Sequence, residues 1–215
     1  MSTILNEAEV RVLGSLVEKQ VTTPEYYPLT LNALVQACNQ KSNRSPVVAY
    51  DEATVERAAE SLRAKNLVYL FYGSTSRVPK YKHMMAEVFS LSAAELAVMC
   101  VLMLRGHQTT GELRGRTDRL YDFSTLQEVE ETLDALGAKE PEPLVLKLPR
   151  QPGQKEVRYA HLLSGEVTPE QFSVPEHADS SAPPLVVARS DRLAALEQEV
   201  AALRREFEEF KKQFD

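Results

Sequence analysis

The 215-residue chain has no tryptophan, only two cysteines, four histidines and eight glycines. Each scarcity removes a class of chemistry. Cys38 and Cys100 stand far apart in helical patterns beside apolar neighbours. They are too few for a zinc quartet or a disulfide framework and fit buried thiols in a reducing cytoplasm. His83, His107, His161 and His177 are separated from one another and from the cysteines. Each fits an ordinary packing or surface role, so no metal and no cofactor is expected. A glycine-rich phosphate loop, a Gly-x-Ser-x-Gly elbow and a His-Glu-x-x-His helix are all missing, and the expectation is a protein that is not an enzyme. No apolar run approaches the roughly 18 residues of a membrane helix. The opening segment MSTILNEAEV has no basic stretch followed by an apolar one, so a cytoplasmic chain without a secretory signal is expected.

What is present is an ordinary globular composition with an uneven charge. Residues 165–215 hold 6 basic and 11 acidic side chains, and the remaining residues hold 19 and 20. The body is therefore nearly neutral, and local charge patterns decide what it can bind.

The chain repeats itself. Leu5-Asn6-Glu7-Ala8-Glu9-Val10-Arg11-Val12-Leu13 aligns with Leu91-Ser92-Ala93-Ala94-Glu95-Leu96-Ala97-Val98-Met99, and Val55 to Lys65 aligns with Val129 to Lys139 in the same order. In each repeat a first helix opens at a capping box, Asn6 with Glu9 or Ser92 with Glu95. Val10, Leu13, Leu16 and Val17 then recur at helical spacing. A second helix runs from Thr30 to about Gln40; its counterpart is a shorter stretch capped by Thr110. Third helices are expected over Asp51–Lys65 and Ser124–Gly137, the latter from a Ser124–Gln127 capping box. The period then falls to two. Leu67–Tyr72 and Arg77–His83 flank a Gly73–Ser76 turn, and Leu144–Leu148 and Val157–Leu163 flank Pro152-Gly153, which reads as two hairpins. Three helices and a hairpin are the winged-helix order. The fold class is mainly α with small β-hairpins (α+β): two tandem winged-helix domains, 1–87 and 88–164, plus a C-terminal coiled-coil helix.

Residues 165–188 hold Pro169, Pro175, Pro183 and Pro184 among serines and acids, a flexible linker. Beyond it, over 189–215, Leu193, Leu196, Val200, Leu203, Phe207, Phe210 and Phe214 alternate at spacings of three and four, a heptad seam. Arg192, Glu199 and Glu206 would each face an opposite charge, Glu197, Arg204 and Lys211, on a parallel partner. The tail therefore reads as the device of a parallel homodimer, against the alternative of a helix folded back on the body.

A winged-helix order points to nucleic acid only by analogy, and the surface has to agree. The third helices are acidic: Glu52, Glu56 and Glu60 in the first repeat, and Glu128, Glu130, Glu131 and Asp134 in the second. Carboxylates repel phosphates, so groove insertion is not expected there. Basic residues collect elsewhere, and the candidate phosphate contacts are Lys41, Asn43, Arg44, Arg77, Lys80, Lys82, Arg114, Arg116 and Arg119. Tyr26, Tyr27, Tyr69, Phe71 and Tyr72 are expected to pack in strands and core. Two readings follow: a DNA-associated regulator, or a protein adaptor docking through the acidic faces.

The stretch Tyr27-Pro28-Leu29-Thr30-Leu31-Asn32-Ala33-Leu34 leads into Ala37-Cys38-Asn39-Gln40-Lys41-Ser42-Asn43-Arg44. Farther on come Leu104-Arg105-Gly106, Gly111-Glu112-Leu113-Arg114, Arg158-Tyr159-Ala160-His161-Leu162 and Ser164-Gly165-Glu166. In these segments the chain resembles the YceH-like family of uncharacterised bacterial proteins. The resemblance covers essentially the whole chain and implies tandem winged helices. It brings no established activity and no accepted functional residues.

Overall fold

A computed structural model describes residues 4–72, 78–150 and 156–165. The turns 73–76 and 152–153, Arg77, His177, the linker and the heptad tail lie outside the described residues. Within them the chain forms the expected mixture, mainly helical with small antiparallel hairpins. No helix among them is long and apolar enough to cross a membrane.

The first repeat opens with α1 (Glu7–Thr22), whose Asn6 and Glu9 form the expected capping box. A two-residue strand β1 (Leu29–Thr30) leads into α2 (Leu31–Cys38), capped by Thr30, and Asp51 caps α3 (Glu52–Ala64). β2 (Val68–Phe71) and β3 (Lys80–His83) pair antiparallel, with β1 on the far edge of β3. The short α4 (Met85–Val88) connects to α5 (Ala93–Arg105), which begins at the Ser92–Glu95 capping box. Next come α6 (Thr110–Thr117), α7 (Leu126–Gly137) and the hairpin of β4 (Val145–Lys147) with β5 (Tyr159–His161).

Two caps differ from expectation. Thr109, not Thr110, starts α6, and the helix runs on past Leu113 to Thr117. Thr125, not Ser124, caps α7, and the Glu128 carboxylate accepts from the Ser124 backbone N–H and the Tyr121 hydroxyl. One hydroxyl of an adjacent pair is as good a cap as the other until tertiary contacts choose between them.

The repeat is reproduced bond for bond. Lys65, at the end of α3, donates from Nζ to Glu9 Oε1 at 2.6 Å and to the Ile4 carbonyl at 3.0 Å. Its counterpart Lys139 bridges Glu95 Oε1 at 3.0 Å and the Ser90 carbonyl at 2.8 Å. Each lysine thus clamps the capping box of the first helix to the end of the third. The hairpins match as well: Val68 opposes His83 as Val145 opposes His161, and Gln108 bridges Tyr159 where Leu29 pairs with Tyr81.

Helix α1 is the centre of the molecule. Every residue from Glu9 to Glu18 is buried, because α2 and α3 cover one side and α5 the other. α1 passes close to α5 at Gly14, where an added Cβ would lie 3.0 Å from Leu104 Cδ2 and 3.1 Å from Met103 Cβ. Cys100 sits at the position of α5 that corresponds to Gly14, and its Sγ contacts the Gly14 carbonyl at 3.5 Å. The two repeats therefore pack through the same face of their first helices, as two identical subunits do in an isologous contact. Both thiols are buried and free; burial pushes Cys38 up to about 11 and Cys100 higher still.

Candidate nucleic-acid interface

The loop between α2 and α3 supplies three of the candidate phosphate contacts, Lys41, Asn43 and Arg44, and only Arg44 among them is buried. Asn39 closes it like a backbone clasp: its Nδ2 donates to the Tyr50 carbonyl at 2.7 Å and its Oδ1 accepts from the Tyr50 N–H at 2.8 Å. Arg44 corrects the sequence reading. Its side chain has no exposed surface and makes a two-pronged ion pair with Glu18, at 3.0 and 2.7 Å, plus a 2.9 Å bond to the Ala37 carbonyl. A guanidinium held that way is part of the framework and does not reach a phosphate. The buried Arg11 completes the staple, donating to the carbonyls of Cys38 and Pro46. Burial, then the charge of Arg44, lowers the affinity of Arg11 for its proton.

Asn43 occupies left-handed backbone at φ 59°, a conformation asparagine tolerates better than most residues. Its Oδ1 accepts from Arg105, while Ser45 N–H donates to the Leu104 carbonyl at 2.9 Å. The loop is thus tied to the end of α5 in the other repeat. Lys41, at the tip, is exposed. The Asn-Gln-Lys-Ser-Asn-Arg segment is a joint between repeats with one cation on its outer side.

The first hairpin is different. Residues directly opposite on antiparallel strands point to the same side. Tyr69 opposes Lys82 and Phe71 opposes Lys80, so these four side chains share one face. Tyr69 and Phe71 are 59% and 45% exposed, and Tyr72 beside them is 66% exposed. Tyr69 and Phe71 lie in a strand as expected, but on its exposed side, and Tyr26 and Tyr72 are exposed too; of the five aromatics Tyr27 is the one mostly enclosed, its hydroxyl bonded to the His83 N–H at 2.7 Å. Lys82 lies 3.6 Å from Glu87, and both are substantially exposed. The matching positions of the second hairpin are Leu146, Leu148, Arg158 and Ala160, of which Leu148 and Ala160 are buried. Arg158 there donates to the His107 carbonyl and Glu112.

The remaining candidates spread over α6. Arg114 is committed to the carbonyls of Phe123 and Ser124, which hold the turn before α7. Arg116 donates to Gln108 Oε1 and lies 3.5 Å from Glu112. Gln108 in turn caps the end of α5 through the carbonyls of Arg105, Gly106 and His107. Arg119 is exposed. Arg116, Arg119, Asn43 and Arg105 come together around one cleft between the repeats. On α7, Glu130, Glu131 and Asp134 are exposed, as an acidic docking face requires.

Comparison with known proteins gives a consistent result. The profile of a family described as "Protein of unknown function, DUF480" matches residues 5–154. A UPF0502 protein of Opitutus terrae is 58% identical over 94% of this chain and 84% of its own length. Relatives carrying the same UPF0502 description in Solibacter usitatus and Geobacter sulfurreducens are 53% and 49% identical, the first over 98% of both chains and the second over 100% of both. The YceH-like resemblance agrees with this assignment. The chain belongs to the DUF480 family of UPF0502 proteins.

Proposed function

We propose that this protein is a non-enzymatic, cytoplasmic, dimeric winged-helix protein that associates with DNA through its first hairpin. The observation that carries the reading is the difference between the repeats. Clamp, caps and hairpin register are common to both, and a shared framework explains the fold. At the positions matching Phe71 and Lys82 the second repeat has the buried Leu148 and Ala160, so the exposure of that part of the face is not a requirement of the fold. Cations interleaved with exposed aromatics suit a backbone of phosphates flanked by stackable bases. The acidic exposed sides of α3 and α7 favour contact by the hairpin over insertion of a helix. Arg77 and Lys41 extend the basic set, and the heptad tail would place two such hairpins on one duplex as a parallel homodimer.

The alternative is a protein adaptor, favoured by the exposed Glu130, Glu131 and Asp134 of α7 with Leu126 at its start. A salt titration of binding to random duplex DNA, followed by fluorescence anisotropy, separates the two. The DNA reading expects affinity to fall steeply with salt, and Lys80→Ala with Lys82→Ala to reduce the log–log slope by about 2. Leu196→Ala with Leu203→Ala is expected to give monomers by light scattering and to weaken binding further. No binding at low salt would leave the acidic face as the better site.

A further inference from the structure

Between the repeats lies a cleft of about 360 Å³, walled by α1 and the 39–51 loop on one side and by α5 and α6 on the other. Its volume falls in the range of small-molecule sites. Val101, Leu104 and Leu120 give it an apolar lining, and Arg105, Arg116 and Arg119 bring three guanidinium groups to it. Two carboxylates oppose them, Glu18 and Asp118. With Arg44 and Glu112, the partners of Glu18 and Arg116, counted as well, four guanidinium groups stand against three carboxylates, Glu18, Glu112 and Asp118. Arg116 is shared with Gln108 and Glu112, whereas Arg119 has neither hydrogen bond nor ion pair among the described residues.

We propose that this cleft binds a small organic anion, an apolar body carrying a phosphate or carboxylate head, with the body against Val101, Leu104 and Leu120 and the head held by arginine. Duplex DNA does not fit the description: its phosphates carry no apolar body, and the apolar lining would stay unfilled. Guanidinium forks match both head groups, and a partly enclosed site strengthens such bonds. The site stands apart from the hairpin reading, because none of its residues lies on β2 or β3. An occupant would touch both repeats at once, beside the Asn43–Arg105 tie.

The test uses the full chain with 1-naphthyl phosphate as probe and inorganic phosphate as the head group alone. Calorimetry gives the affinities, and methyl NMR shifts of Val101, Leu104 and Leu120 give the location. The expected result is saturable binding of the aryl phosphate at least about tenfold tighter than inorganic phosphate, with shifts at those methyls. Arg119→Ala, an exposed substitution, should weaken it about fivefold or more, while Lys147→Ala on β4 should not change it. Equal affinities for the two probes, shifts confined to other methyls, or equal weakening by both variants would each overturn the proposal. DNA binding is measured separately and is expected to survive Arg119→Ala.

Discussion

Arg44 shows how little the identity of a residue says about the direction it faces. Its neighbours Lys41, Ser42 and Asn43 are polar and exposed, and the segment reads as a basic tip. What turns Arg44 inward is Glu18, 26 positions earlier and near the end of a different helix. A carboxylate at that place in a helical pattern looks like any solvated one. Removing one partner of a buried pair leaves the other charged and unmatched, which costs about 3–5 kcal/mol. Arg44→Ala is therefore expected to lower the melting temperature by about 6 °C or more while leaving the salt slope of DNA binding unchanged in the folded variant. Arg44→Lys should not restore it, since one ammonium cannot make the two-pronged contact. Calorimetric melting within a degree or two of the parent would contradict this account.

At the scale of elements, the helices and hairpins were legible because their signals are local: caps, period and turn residues sit within a few positions of what they control. The repeat alignment placed Glu9 with Glu95 and Lys65 with Lys139, although the clamp that joins them became visible only in three dimensions. Outward-facing Tyr69 and Phe71 were misread because Val68-Tyr69-Leu70-Phe71 is apolar throughout and carries no alternation to mark an exposed side. The histidines facing Val68 and Val145 carry an ordinary packing or surface role in the sequence, and the hairpins bury His83 fully and His161 in part. Burial pushes His83 and His161 down to about 4 from an ordinary value of 6.5. For His83 the bonding agrees, since Nδ1 accepts from the Met85 N–H at 3.2 Å and Nε2 is left to donate to Gln20, an arrangement only the neutral ring can make.

The sign of the pH effect follows. Between pH 6.5 and 4 the unfolded chain takes up protons at these sites and the folded chain does not, so stability is lost as pH falls through that window. Each ring contributes on the order of 2–3 kcal/mol. Glu9 and Glu95, held below the ordinary carboxylate range by their lysine and capping bonds despite the opposing effect of burial, add a further loss at lower pH. Urea melts of His83→Gln at pH 7 and pH 5 should differ less than those of the parent. An equal or greater difference in the variant would refute the assignment.

For the molecule as a whole, what fixes the arrangement of the repeats is the seam between α1 and α5. Sequence exposed both helices as amphipathic or apolar but gave no sign that they would meet each other, since nothing in a periodic pattern names its partner. At Gly14 the seam leaves no room for a side chain. Alanine there would gain about 1 kcal/mol of helix propensity. Against that stand a clash at 3.0 Å with the buried Leu104 and one at 3.1 Å with a Cβ that has no rotamer to escape by. Overpacking of this kind costs about 1–3 kcal/mol, so Gly14→Ala should be destabilising on balance and lower the melting temperature by about 2–5 °C. A rise would mean that the seam has slack.

The contact between Gly14 and Cys100 also makes the seam observable from outside. A thiol sealed on every side, with its proton held tightly by burial, does not meet an alkylating reagent while the repeats are closed. Cys38 is sealed separately, inside the first repeat. The chain therefore carries two clocks at different depths. Labelling of Cys100 counts excursions in which the repeats part, and labelling of Cys38 counts openings of the first repeat itself. If the first rate exceeds the second, the repeats separate as intact bodies; if the two coincide, the joined pair opens as one cooperative unit.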